Sequence, residues 1–151
     1  MEFTMNFKSL TMRIFIILSL LLSIYEVNGQ SYTVRITVTG LHNNKGKLMA
    51  AIFNSETGFP KSSDKAFKLS VFEVAKDTCV ILFENIPKGV YAVTCFHDEN
   101  NNGKMDTNFL GIPSEGTAAS NNAEGFLGPP KFKDAKFNVN GDVEQEIKIE
   151  Y

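Results

Sequence analysis

The segment from His97 to Asp106 carries the densest set of chemically useful side chains in the chain. Counted from Asp98, oxygen-bearing side chains stand at positions 1, 3, 5 and 9, and Gly103 stands at position 6. This is the spacing of a calcium loop, in which about six to eight oxygens surround a hard cation on a tightly curled segment. The sequence predicts side-chain ligation by four residues and carbonyl ligation by a fifth: Asp98, Asn100, Asn102 and Asp106, with Lys104 offering its carbonyl.

The loop departs from an EF-hand at its end. Position 12 is Phe109 where an EF-hand has a bidentate glutamate, and no helical pattern flanks the loop. Any remaining ligand must come from elsewhere in the chain or from water, and two carboxylates predict the weak affinity of extracellular calcium modules. The alternative is a plain Asn-Gly turn, because these residues are favoured in turns for their local hydrogen bonds alone.

Candidate catalytic groups are few. His42 and His97 are the two histidines, and the sequence contains no G-x-S-x-G, H-E-x-x-H, C-x-x-C or phosphate-binding glycine motif. We therefore expect a surface histidine at position 97 and assign no catalytic residue. Four further polar residues could line a site, although loops are polar by default: Ser114, Glu115, Ser120 and Glu124.

The elements that must position the loop are predicted to be strands. Seven segments alternate apolar and polar residues or concentrate β-branched and aromatic ones: 32–39, 47–53, 67–71, 79–83, 90–96, 135–139 and 143–151. Short turns predict hairpins between the first and second, the fourth and fifth, and the last two. The pattern indicates an all-β, antiparallel two-sheet sandwich, immunoglobulin-like or transthyretin-like; a small closed barrel would show the same alternation.

Residues 110–134 form an unusually long connection, rich in Gly, Pro, Ser and Asn. Its apolar residues and prolines favour an ordered segment. Three phenylalanines lie in or beside it, and we expect them to fold back over an open end of the sandwich. The alternative is that these rings form a binding platform for sugars or peptides: Phe109, Phe126 and Phe132.

Two cysteines flank the turn around Pro87 at equal distances along the chain. If segments 79–83 and 90–96 form a hairpin, Cys79 and Cys95 lie opposite each other with their side chains on one face. Opposed residues in an antiparallel pair are close enough for a disulfide, which an oxidising compartment would allow. The sequence thus predicts a Cys79–Cys95 bond, with two buried free thiols as the alternative.

The N-terminus predicts export. Basic residues precede the apolar run 14–25, which is too short to span a bilayer comfortably and is typical of a signal peptide. We expect cleavage between Gly29 and Gln30, leaving one β-sandwich domain over 30–151; Met12 offers an alternative start. The mature chain carries no lipid-accepting Cys at this junction and no second apolar segment, so we expect a soluble periplasmic or extracellular protein without a membrane span.

Composition narrows the class of partner. The 151 residues are 43% apolar and 21% charged, and the formal net charge is −2. Without a basic run to neutralise phosphates, we expect no nucleic-acid partner.

Several unusual strings occur together in the order of one bacterial family: 83–93, 96–113, 120–123, 128–130 and 132–135, with Gly40-Leu41 and Lys45-Gly46. On these strings the chain resembles the bacterial secreted family catalogued as domain of unknown function 2141, over nearly the whole mature chain. The resemblance implies an exported β-rich domain and no particular activity.

Two functions therefore stay open. One is a non-enzymatic exported module that binds a protein or glycan partner through the loops at one end. The other is a small hydrolase or lyase with its site near His97 and the calcium loop. A concave groove holding His97 beside a second titratable group would favour the enzyme, and a flat or convex loop end would favour the binding module.

Overall fold

The structure of the protein is a computed structural model that describes residues 29–75 and 77–151. The predicted signal peptide lies outside the described residues except for Gly29. Within the described ranges the chain forms eight strands and one short α-helix: β1 (Ser31–Thr39), β2 (Lys47–Phe53), β3 (Lys68–Glu73), β4 (Thr78–Pro87), β5 (Gly89–Asp98), β6 (Thr117–Ala119), α1 (Phe132–Ala135), β7 (Phe137–Val139) and β8 (Val143–Lys148).

The strands form two sheets, which confirms the all-β sandwich. One sheet has the order β4-β1-β8, and the other has the order β3-β2-β5-β6, with β7 also paired to β5. The β1–β8 pairing is parallel and the others are antiparallel. Alternate residues of both sheets face each other in one apolar core that includes Val34, Ile36, Leu48, Ile52, Ile81 and Phe83. Among the described residues, no helix has the length and apolar character needed to cross a membrane.

All three predicted hairpins are wrong. In each case the two strands joined by a short connection belong to different sheets: β1 and β2, β4 and β5, β7 and β8. Strand β4 instead pairs along nearly the whole length of β1. The reason is that alternation and turn residues show where a chain reverses, whereas the layer to which each strand returns depends on contacts distant in sequence.

The argument for the disulfide fails with the second hairpin. Cys79 pairs with Val38 in one sheet, and Cys95 pairs with Ala50 in the other. Both are free thiols in the core between the sheets. Burial raises the pKa of Cys79, and burial together with nearby Cys79 raises the pKa of Cys95 to about 12. Formation of the bond across the core stays a prediction.

A second, smaller apolar cluster includes aromatic residues from two long connections. Phe59 packs edge-to-face against Phe53 of β2, with ring centroids 5.3 Å apart, and against Phe132 of α1 at 5.7 Å. The buried Ser120 hydroxyl accepts the Val93 N–H at 2.9 Å and donates to the Ala135 carbonyl at 2.7 Å. Ser120 therefore has a structural role, because it ties the long segment and α1 to β5.

Candidate functional site

The predicted calcium loop begins at the last residue of β5. Asp98 is 1% exposed, and its carboxylate accepts the Asn102 N–H at 3.1 Å and the Gly103 N–H at 2.8 Å. Gly103 has a φ of 73°, a conformation that glycine adopts without steric cost. These contacts curl the loop back over its first residue, as its turn-forming composition predicts.

Three further predicted ligands converge on one another. The Asn100 amide nitrogen donates to the Asp106 carboxylate at 2.6 Å, and the Asn102 amide nitrogen donates to the same carboxylate at 3.1 Å. Their amide oxygens accept backbone N–H groups of the loop, including that of Lys104 at 2.8 Å. The loop therefore brings three of the four predicted side-chain ligands together at Asp106, whereas Asp98 bonds the backbone of the same loop.

Glu115 closes the loop from outside the motif. Glu115 is 7% exposed, and its carboxylate accepts the Glu99 N–H at 3.3 Å and the Asp106 N–H at 3.0 Å. One side chain thus ties both ends of the loop. Sequence reasoning counted Glu115 only as a polar loop residue; its position as the sole carboxylate between Asp106 and β6 is the signal that could have singled it out.

The donor chemistry of the loop fits a hard cation. It offers carboxylate, amide and carbonyl oxygens, the ligands that calcium prefers. Within residues 29–75 and 77–151, however, no three His, Cys, Asp or Glu side chains converge as a metal centre. In the observed conformation the amide nitrogens of Asn100 and Asn102 provide the partial positive charge near Asp106. Calcium binding, including ligation by the Lys104 carbonyl, stays a prediction.

His97 precedes the loop and is fully buried, so the expectation of a surface histidine is wrong. Its Nε2 lies 2.7 Å from the Lys45 carbonyl, which only accepts, so Nε2 carries the hydrogen. In the neutral ring Nδ1 then accepts from the Tyr151 hydroxyl at 2.7 Å, and that hydroxyl accepts the His42 N–H at 3.1 Å. The ring faces inward because alternation along β5 places residues 91, 93, 95 and 97 towards the core.

Tyr151 covers this end of the sandwich. Its ring stacks on His42 with centroids 3.5 Å apart, and a Cβ added to Gly116 would lie 2.6 Å from the ring. Burial raises the pKa of Tyr151, and the negative charge of Glu99 raises it further. A titratable partner does bond His97, but within the described part of the chain the histidine has no surface exposed to a substrate.

A tight turn formed by residues 107–113 follows the loop, and we call it the first apolar turn. It is closed by hydrogen bonds from Gly111 N–H to the Asn108 carbonyl and from Asn108 N–H to the Ile112 carbonyl, both 2.9 Å. Phe109 at its tip is 95% exposed and Leu110 is 68% exposed. The expectation that Phe109 folds back is wrong because the turn completes its own hydrogen bonds and no element within residues 29–75 and 77–151 covers it.

A second apolar turn spans residues 125–130. Phe126 is 96% exposed and Leu127 is 92% exposed, so burial was also wrongly expected at position 126. A Cβ on Gly125 would overlap the Gly128 carbonyl oxygen, which shows how sharply the chain reverses. Among Phe109, Phe126 and Phe132, Phe132 is the one whose ring packs into a core, in the cluster with Phe59.

Comparison with known proteins identifies a family. The family model described as "Uncharacterized protein conserved in bacteria (DUF2141)" matches residues 36–148, about three quarters of the chain. The matched span includes the calcium-loop candidate, both apolar turns and all eight strands except the first part of β1. No curated protein and no solved structure matches the chain.

Proposed function

Since the chain belongs to the bacterial family DUF2141, whose description assigns no activity, we propose its function from the site itself: an exported, non-enzymatic module that binds a partner through its loops. The observation that carries the proposal is Phe109, which is 95% exposed at the tip of a turn whose base is held by buried carboxylates. A ring that contacts little of its own chain contributes little to folding and is available for binding.

The buried position of His97 favours the binding module over a hydrolase or lyase. A general base must come within hydrogen-bond reach of its substrate, and both ring nitrogens of His97 are already bonded inside the protein. These bonds orient Tyr151 over the end of the sandwich. We therefore assign His97 a structural role and name no catalytic residue.

The proposal includes calcium as a structural ion at Asp98, Asn100, Asn102 and Asp106, with the Lys104 carbonyl. Support comes from the oxygen chemistry and from the side-chain convergence around Asp106. Like charges at Asp98 and Asp106 repel each other where water is partly excluded, and a divalent cation would reverse the sign of that interaction. The ion would stiffen the base of the first apolar turn.

Export is the third component of the proposal, after partner binding and the structural calcium ion. The basic residues and short apolar run of the N-terminus support cleavage between Gly29 and Gln30 and release into the periplasm or medium. The expected product begins at Gln30, and intact-mass measurement of the exported protein checks this. A protein recovered only with its N-terminus intact would contradict cleavage.

The binding role is tested with purified exported protein and fractions of the bacterial envelope, assayed separately for proteins, glycans and membranes. Wild-type protein should be retained by one fraction, and Phe109→Asp should lose most of that retention. Leu69→Asp is the matched control, because Leu69 is also exposed and lies on β3, at the opposite edge of its sheet from β6. Retention that does not depend on Phe109 would contradict the proposal.

A further inference from the structure

The two apolar turns contain the same short string. Phe-Leu-Gly-x-Pro occurs at 109–113 and again at 126–130. In both copies the phenylalanine is almost fully exposed and the leucine follows it at the tip. Neither ring is needed to complete a core, yet two separate loops of one protein display the same apolar pair.

The backbone of the first turn is unusually self-sufficient. The Asn108 side-chain oxygen accepts the N–H groups of Leu110 at 2.9 Å and Ile112 at 3.1 Å, in addition to the two backbone bonds that close the turn. Pro113 has no N–H to satisfy. The second turn ends in Pro129 and Pro130, which likewise lack donors. Few backbone donors therefore need water at the tip of the first turn.

Both turns are also free of charge. Residues 107–114 and 125–130 contain no Asp, Glu, Lys or Arg, in a chain that is 21% charged. Across 104–133, three lysines and three acidic residues balance each other. The tips are thus apolar and uncharged, and the segment that contains both turns has no net charge.

We propose that the two turns insert into the surface of a lipid bilayer. This inference rests on the proposed binding function and names its partner class. A protruding tip needs no complementary groove in order to enter hydrocarbon, but backbone polar groups that enter it must be satisfied internally. The first turn satisfies most of its backbone donors internally, and Phe and Leu side chains gain free energy when they leave water. Because the local charges cancel, insertion needs no anionic lipid.

Tryptophan fluorescence provides a direct test, since the chain contains no tryptophan. Phe109→Trp and Phe126→Trp each introduce a single reporter, and Leu69→Trp places the control reporter on exposed β3. With phosphatidylcholine vesicles whose acyl chains carry bromine, emission from positions 109 and 126 should be quenched and shifted to shorter wavelength. Emission from position 69 should not change.

Vesicle flotation measures the contribution of each ring. Phe109→Asp and Phe126→Asp should each lower the partition coefficient about ten-fold or more, because each replaces an aromatic side chain that would be inserted in the bilayer with a charged one. Leu69→Asp should leave it unchanged, and moderate salt should have little effect. Circular dichroism confirms that each variant is folded, which is expected because the replaced rings contact almost nothing.

Absence of quenching at both positions would overturn the inference, and absence at one would overturn it for that turn. If vesicles do not bind while an envelope protein or glycan is retained in a Phe109-dependent manner, the lipid proposal fails and the binding function stands. If neither is retained, both proposals fail.

Discussion

Phe132 and Phe109 belong to neighbouring stretches of one chain and have opposite environments. Phe132 lies on α1 and packs against Phe59, which in turn packs against the fully buried Phe53. Phe109 lies on a turn that closes its own hydrogen bonds and exposes its ring. The difference shows that residue type alone does not decide burial: a phenylalanine is buried where a neighbouring element covers it.

The largest expected effect contrasts these two environments. Phe53→Ala should lower the free energy of unfolding by about 3–5 kcal/mol, because it leaves a cavity beneath Phe59. Phe109→Ala should change it by less than about 0.5 kcal/mol. Urea unfolding followed by circular dichroism measures both. A loss of several kcal/mol at Phe109 would show that the first apolar turn packs against the protein in solution.

The base of the first apolar turn should gain stability from an ion. Millimolar calcium should raise the free energy of unfolding by about 1–3 kcal/mol if the dissociation constant is about 10⁻⁴ to 10⁻⁵ M. The melting temperature should then rise with calcium and fall with chelator. Asp98→Ala should abolish this difference, whereas Asp64→Ala, beside exposed Lys65, should retain it.

Identical melting of metal-stripped wild-type protein with calcium and with excess chelator would contradict this prediction. The loop would then be an Asn-rich turn whose charge is compensated by its own amides. The first apolar turn, which carries Phe109, would then be held by hydrogen bonds alone, whereas Phe132 is held by packing against Phe59.

Local features of this molecule followed from the sequence better than long-range ones. Alternation located β1 to within one residue at its start, and spacing alone brought Asp98, Asn100 and Asp106 into one loop. Both depend on residues close together in the chain. The partners of each strand depend on which layer the chain enters after a turn, and the short connections between strands carried no information about that choice.

Only part of the candidate site could be predicted from the sequence, because its other contacts join residues that are distant in the chain. Contacts between His97 and Tyr151, 54 positions apart, and between Glu115 and the N–H of Glu99, 16 positions apart, have no local pattern. Exposure of Phe109 could not be predicted because apolar side chains are buried by default, and only the structure shows that none of the described elements covers this turn.

The hydroxyl of Tyr151 connects the buried His97 to the loop that contains His42. Tyr151→Phe removes the donor to His97 Nδ1 and the acceptor of the His42 N–H, so unfolding should cost about 1–2 kcal/mol less. Thermal unfolding at neutral pH measures the change. Tyr32→Phe, a half-buried tyrosine packed on the core, is the matched control and should have little effect. Equal stability of both variants would mean that the buried bond to His97 is replaced by water.

The smallest expected effect concerns the core thiols under reducing conditions. Burial raises the pKa of Cys95 from 9.0 to about 12, so the unfolded chain loses this proton at a lower pH than the folded chain does. The contribution of Cys95 is therefore intact below about pH 9 and is lost as the pH rises towards 12. Relative to Cys95→Ala, wild-type protein should lose about 1 kcal/mol of unfolding free energy between pH 8 and pH 10.

The same scan without reductant tests the predicted bond to Cys79, because bonded sulfurs do not ionise and the pH dependence should disappear. Two reactive thiols in the denatured, unreduced exported protein would instead show that the bond does not form.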